Sequence, residues 1–294
     1  MNKNKKIKIA IASGKGGVGK SMLASALAML FNQEGEKTVA CDCDVDAPNL
    51  AIWLNESSNW DKSKKISTLA KPIINYKKCI GCGTCVKNCP FEALKLKTDK
   101  PEFNYFLCEG CGVCEIVCPQ KAIKLKRVKN GQINVKKTKY NFPLVVGQLF
   151  PGESNSGEIV TEVKKYAEEF DYDIMIIDSA PGTGCPVIAS LQGVQTAILI
   201  TEPTPSGLSD LKRVLDTVNY FKIPYHIVIN KWDINPDFTE KIIKEKEFKN
   251  KILGKISYDQ KIFKAISELT PIMETDLKVT GEIKKIFKKI RYLN

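Results

Sequence analysis

The sequence predicts an α/β fold, a mostly parallel sheet flanked by helices, interrupted by a smaller cysteine-rich α+β module. Three observations predict it. Short β-branched apolar runs alternate with segments of helical spacing in both the first and the last part of the chain. A glycine-rich loop joins the first apolar run to the first helical segment. Eight of the eleven cysteines crowd into the stretch where that alternation stops.

In order, "IKIAIAS" (Ile7 to Ser13) reads as a buried strand, "SMLASALAMLFNQEG" as a helix that stops at Gly35, and "KTVACDCDVDAPN" as a second strand ending in acidic residues. After about Leu54 the polar "NESSNWDKSKK" reads as a loop. The cysteine module follows, and its last piece, "AIKLKRVKNGQINVKKTKY", carries Asn130-Gly131 between alternating residues, a signal for a hairpin turn. From about Pro143 the rhythm returns with "LVVGQLF", "DIMIIDSAPG", "TAILITEP" and "YHIVINKWD" as buried strands. The expected division is therefore 1–71 and 141–294 for the two parts of one α/β domain. The module takes 72–127, with a return hairpin to about 140.

Bulk properties narrow the class. At 294 residues the chain can bury a proper core in one large domain or two smaller ones, and 43% hydrophobic with 27% charged residues is ordinary globular composition. No apolar run reaches the length of a membrane span, and the N-terminus lacks the cleavage region of a signal peptide, so the expected location is cytoplasmic. Clustered cysteines without an export signal point to metal rather than disulfides. The formal charge of +12 invites a nucleic-acid or membrane reading, but the lysines are spread along the whole chain. Two four-iron clusters with eight thiolates would offset roughly four of those charges. A solvated lysine-rich surface is the expectation, with no nucleic-acid partner.

"GKGGVGKS", Gly14 to Ser21, satisfies G-x-x-x-x-G-K-[ST] between a strand and a helix. Gly14, Gly16, Gly17 and Gly19 let the backbone wrap phosphate, and the N–H groups from Lys15 through Val18 to Ser21 and Met22 point at the anion. Lys20 reaches the β- and γ-phosphates, and the Ser21 hydroxyl holds Mg²⁺. The additional Lys15 makes "KGGVGKS" resemble the deviant Walker A loop of the MinD/Mrp/ParA and nitrogenase iron-protein superfamily. The resemblance implies an ATP sandwich, a homodimer or a heterodimer with a paralogue, in which Lys15 acts across the interface on the partner's nucleotide. It further implies Asp42 and Asp44 as the switch I acids, with Asp42 toward Mg²⁺ and Asp44 orienting the attacking water. Asp178 becomes the Mg²⁺ aspartate, "SAPGTG" becomes switch II, and Asn230 an adenine contact. Asn230-Lys231-Trp232-Asp233 also resembles the guanine-reading NKxD of GTPases, with Asp233 as the base partner, so GTP is the competing substrate.

Cys79, Cys82, Cys85 and Cys89-Pro90 form C-x-x-C-x-x-C-x-x-x-C-P, and Cys108, Cys111, Cys114 and Cys118-Pro119 repeat it. Each run supplies three thiolates to one [4Fe–4S] cubane and the fourth to the other, pairing Cys79, Cys82 and Cys85 with Cys118, and Cys108, Cys111 and Cys114 with Cys89. Gly81, Gly83, Gly110 and Gly112 let the backbone bend around each cluster. Tetrahedral zinc is the competing reading. From about Ile73 to Leu125 the module resembles bacterial two-cluster ferredoxins, which implies low-potential electron transfer to and from redox proteins. The whole chain resembles MinD-superfamily ATPases with an inserted ferredoxin domain. That implies a P-loop NTPase fold with an inserted ferredoxin-like 2×[4Fe–4S] domain, and an ATPase coupled to electron transfer. A cluster carrier or cofactor-assembly ATPase, and a positioning ATPase of MinD/ParA type, are the alternatives.

The remaining candidates are weaker. In the nitrogenase iron protein the position of Cys185 supplies a cluster ligand, but "FPGESNSGE" lacks the second cysteine which that arrangement needs. Cys41, Cys43 and the single histidine, His226, read as structural. The C-terminal "GEIKKIFKKIRYLN" puts Ile283, Ile286, Phe287, Ile290 and Leu293 on one helical face. That stripe suits packing on the sheet, which is the expectation, or a membrane surface.

Overall fold

The computed structural model describes residues 6–292. Thirteen strands and ten α-helices follow in chain order among them. The strands are β1 (Ile7–Ser13), β2 (Thr38–Cys43), β3 (Lys62–Ile66), β4 (Leu69–Ile74), β5 (Leu94–Lys97), β6 (Lys100–Phe103), β7 (Ile123–Val128), β8 (Gly131–Lys137), β9 (Pro143–Leu149), β10 (Ile174–Pro181), β11 (Thr196–Thr201), β12 (Tyr225–Asn230) and β13 (Ile252–Ile256). The helices are α1 (Lys20–Gln33), α2 (Leu50–Trp53), α3 (Thr84–Lys87), α4 (Val113–Ile116), α5 (Ser156–Glu168), α6 (Cys185–Leu191), α7 (Pro205–Tyr220), α8 (Pro236–Lys244), α9 (Lys261–Ser267) and α10 (Lys278–Arg291).

The chain divides into two compact units. The first comprises Met1–Ser63, Ile133–Gln148 and Ser156–Asn294, and the second Lys64–Gln132 with Leu149–Asn155. The module bounds of 72–127 expected from sequence fall inside the second unit. That unit also takes 64–71, 128–132 and a returning segment, 149–155, which carries no cysteine to announce it.

A nine-stranded sheet in the order β13-β12-β11-β1-β10-β2-β9-β8-β3 organises the first unit, and the pairings from β13 through β9 are parallel. Its central strands β1, β2, β10 and β11 are buried on both faces, as a sheet covered on both sides requires. Ile7, Ile9 and Ile11 of β1 and Ile174 and Ile176 of β10 share one core with α1 and α10. The alternate residues turn to the other face, where α5, α6 and α7 pack. Helix α1 is buried almost all round, from Met22 to Phe31, and Gly35 in left-handed backbone (φ 86°) ends it.

The C-terminal stripe is used up by packing. Val279, Ile283, Ile286, Phe287 and Ile290 of α10 are all buried, and the Phe287 ring meets Phe31 edge-on at 4.9 Å; Leu293 lies outside the described residues. No described helix is long and apolar enough to cross a membrane. Phe287→Ala should cost about 3–5 kcal/mol of stability, read by chemical denaturation. Liposome sedimentation of the parent should recover no protein with the lipid.

Two sequence expectations are corrected. The hairpin at Asn130-Gly131 does not form: β7 pairs only with β4, whereas β8 lies in the large sheet. Neither residue has the positive φ that a type I′ turn needs. Asn130 is instead fully buried as a side-chain staple, its amide donating to Thr68 Oγ1 (2.8 Å) and the Ser154 carbonyl (3.0 Å) and accepting from the Thr68 N–H (2.9 Å). The second correction is β3, read as loop. It is the last strand of the large sheet, and Lys62, Lys64 and Lys65 are exposed on it. Lysines on an edge strand hide its β character from sequence and block edge-to-edge pairing.

The second unit is built from two small antiparallel sheets, β4 with β7 and β5 with β6, and the short helices α3 and α4. Its core is small: Cys85, Leu94 and Ile123, with Ile74, Val86, Phe103 and Val117 against them. Buried Lys71 sits over the Tyr105 ring (3.6 Å), donates to the Tyr105 carbonyl (2.9 Å) and pairs with Glu153 (3.3 Å).

Candidate functional site

In the first unit, β1 ends at the loop that leads into α1, and parallel register sets its acidic neighbours. Asp178 on β10 pairs directly with Asp42 on β2. One cavity of about 310 Å³ opens here, lined by Gly16, Gly17, Gly19, Lys20, Ser21, Met22, Asp44 and Asn230. The structure therefore brings together most of the P-loop and acidic residues that the sequence singles out. Gly14 has no room for a side chain, since a Cβ would meet the Asp210 carbonyl oxygen at 2.1 Å. Gly19 combines a φ of 98° with Asn230 Nδ2 only 2.5 Å from where its Cβ would stand.

The two buried aspartates differ in what they already hold. Asp42 accepts the N–H groups of Asp44 (3.1 Å), Asn49 (2.9 Å) and Leu50 (2.8 Å), so both its oxygens anchor the turn into α2. Asp178 is fully buried and both its oxygens lack a hydrogen-bond partner. Burial pushes its carboxyl up. The Ser21 hydroxyl, near it but outside hydrogen-bond geometry, and the Lys20 ammonium pull the other way. Burial and then the Asp178 charge push Asp42 well above the usual range. A bare, buried carboxylate beside a P-loop serine is a donor set that fits a hydrated Mg²⁺, which would supply the missing charge. Asp42 is the less available of the two, because backbone amides occupy it. Asp44 is half-buried on the cavity wall, its carboxyl raised by burial and lowered by Lys20.

Lys15 points to a residue that sequence reasoning missed. Its ammonium pairs with Glu202 at 2.5 Å, and Lys231 reaches the same carboxylate at 3.3 Å while donating to the Gly17 carbonyl (3.2 Å). Burial raises Glu202, but the two lysines outweigh it and hold its carboxyl below the usual range. Only the position of Glu202, just after a strand and before "PTPSG", could have flagged it.

The base-reading candidates each hold a contact within the chain. Asn230 donates to the Val18 carbonyl (2.8 Å) and accepts the Lys231 N–H (2.9 Å), so it staples the P-loop. Asp233 accepts the Tyr258 N–H at 2.7 Å. Asp233→Ala should lower the melting temperature and leave the ratio of ATP to GTP turnover unchanged.

The eight module cysteines surround two cavities in the second unit. One is lined by Cys79, Cys82, Cys85 and Cys118 and the other by Cys108, Cys111, Cys114 and Cys89, each about 20 Å³ in volume. Among the described residues no three His, Cys, Asp or Glu side chains are arranged to hold one metal ion. A cubane asks for a different arrangement: each thiolate takes its own iron, so four sulfurs stand around a space. Two four-cysteine cavities of nearly equal size fit that donor pattern. Gly81 and Gly110 close each loop against backbone, with a Cβ at 2.0 Å from the Asp99 oxygen and 2.7 Å from the Ala70 oxygen respectively.

The other three cysteines stay apart from these cavities. Cys41 and Cys43 are wholly buried on β2, the thiol of Cys41 pushed up to about 12 by burial, and Cys185 is exposed at the start of α6. His226 lies partly buried on β12, its pKa lowered by burial and by Lys251.

Residues 9–272 match the CobQ/CobB/MinD/ParA nucleotide binding domain. An uncharacterized protein of Methanocaldococcus jannaschii is 37% identical over 287 residues, which cover 97% of this chain and 96% of that protein. An iron-sulfur cluster carrier protein of the same organism is 24% identical, covering 97% of this chain and 84% of the relative. The septum site-determining protein MinD of Pyrococcus horikoshii, solved with Mg-ADP, superposes with a TM-score of 0.60 at 17% identity, covering 98% and 97% of the two chains.

Proposed function

The chain belongs to the CobQ/CobB/MinD/ParA nucleotide-binding family, and from that premise we propose an ATPase that carries two [4Fe–4S] clusters and couples nucleotide-driven dimer rearrangement to low-potential electron transfer. One observation carries this reading. The two cysteine cavities contain the two cross-laced ligand sets that the doubled motif calls for, with none of the eight thiols left over. On this reading the second unit is an inserted ferredoxin-like domain, and the bound clusters supply one-electron chemistry at low potential.

The first unit's residues bind and orient the nucleotide. The loop from Lys15 to Ser21 and the N-terminus of α1 present N–H groups to the phosphates, and Lys20 meets their charge. Ser21 and Asp178 hold Mg²⁺. Asp44 orients a water whose oxygen bonds to the γ-phosphorus as the bond to the ADP oxygen breaks. The engagement of Asp233 with Tyr258 favours ATP over GTP.

Lys15 acts across the interface with a second copy or a paralogue, and its pairing with Glu202 must open first. Glu202→Gln should therefore raise the dimer fraction in MgATP severalfold by sedimentation velocity. Lys15→Ala should leave nucleotide binding intact but slow turnover.

The names of the relatives favour a second reading, a cluster carrier. Anaerobic reconstitution separates the two. About eight irons per chain that stay bound through MgATP turnover support the electron-transfer reading. Iron that passes to an apo-ferredoxin during turnover supports the carrier.

A further inference from the structure

The two cysteine runs are a duplicated unit, so each position in one half has a counterpart in the other. The correspondence is conformational as well as sequential. Gly81 and Gly110 (φ 73° and 70°), Gly83 and Gly112 (69° and 81°), and Glu92 and Lys121 (51° and 48°) take left-handed backbone at matching places. Differences between counterparts therefore report what each half faces.

Around the Cys79 cavity the flanking positions are exposed and cationic: Lys77 and Lys78 precede Cys79, and Lys121 follows Cys118. Their counterparts around the Cys108 cavity are Phe106, Leu107 and Glu92, all exposed. Ile80, 63% exposed on the rim of the first cavity, is answered by Glu109 on the second. A lysine-rich composition would place lysines on both halves alike. Three lysines on one half answered by Phe106, Leu107 and Glu92 on the other make the difference in charge a property of the two faces.

We propose that the Cys79 cavity lies under a docking face for an acidic one-electron carrier protein, and that the Cys108 cavity does not. This rests on the reading that the cavities hold clusters. Lys77, Lys78 and Lys121 attract a carboxylate-rich surface, and Ile80, beside the exposed Cys82, gives it a dry contact. Glu92 and Glu109 repel the same carrier from the other half. In the step the carrier loses one electron and the group in the Cys79 cavity gains it, with no bond or proton changing place. Redox interfaces of this kind are small and transient, so complementary charge acts mainly on the rate of encounter.

The test is stopped-flow oxidation of a reduced, acidic plant-type [2Fe–2S] ferredoxin by the full, anaerobically reconstituted protein. The rate should fall steeply with ionic strength. Lys77→Glu/Lys78→Glu/Lys121→Glu should slow it about tenfold or more at low salt. The corresponding triple glutamine variant should slow it less, and Glu92→Lys/Glu109→Lys should not slow it. Iron content and EPR signals are measured on every variant first. A parent without iron overturns the cluster reading, and this proposal with it. A parent with both clusters whose rate ignores both salt and the lysine variants overturns the docking face alone.

Discussion

Asp178→Asn should reduce MgATP hydrolysis about a hundredfold or more while making the nucleotide-free protein more stable. The two effects have one cause: the Asp178 carboxyl is fully buried and neither oxygen has a partner. Burial raises its pKa, so the folded chain takes up a proton there. Its contribution to stability is therefore full below about pH 4 and is lost as the pH rises through the folded value. Asparagine removes the ionisation and with it that loss. Thermal melts without Mg²⁺ should show variant and parent alike near pH 4, with the variant ahead by on the order of 1–3 kcal/mol at pH 8. A variant less stable than the parent at pH 8 would mean that Asp178 is satisfied in the apo fold and is not waiting for a cation.

Cys118→Ser should remove one cluster, and it should be the one held by the first run. Cys118 lines the cavity of Cys79, Cys82 and Cys85, although it lies in the second run. The iron count should fall from about eight to about four per chain. Cys89→Ser should give the same count but spare the other EPR signal. If each variant instead lost the cluster of its own run, the cross-laced assignment would be wrong.

Much of this site was legible because local chemistry fixes it. A P-loop needs its glycines and lysine at fixed spacing, and a doubled cysteine run groups its eight thiols in two sets before any fold is known. Asp42 and Asp178 could be found because each interrupts a buried apolar run, and parallel register then placed them side by side. What sequence could not show was partnership over distance. Asn230 reads as a base contact because its spacing fits one, but spacing could not show that its amide also holds the Val18 carbonyl of the P-loop. Glu202 was invisible because nothing local marks a lone glutamate as the partner of both Lys15 and Lys231. Asn130 was misread for the same reason, since a hairpin signal is local and the staple to Thr68 and Ser154 is not.

The central claim is that nucleotide state and the clusters are coupled. On the chain, the second unit begins at Lys64, after the candidate water-orienting Asp44 and after α2. The most direct measurement is anaerobic EPR, with an iron count, on the dithionite-reduced protein with and without MgATP. The account predicts two clusters whose signals or reducibility shift when MgATP is added, and no shift in the Asp178→Asn variant. Two intact clusters indifferent to nucleotide, in a protein that hydrolyses ATP normally, would contradict it.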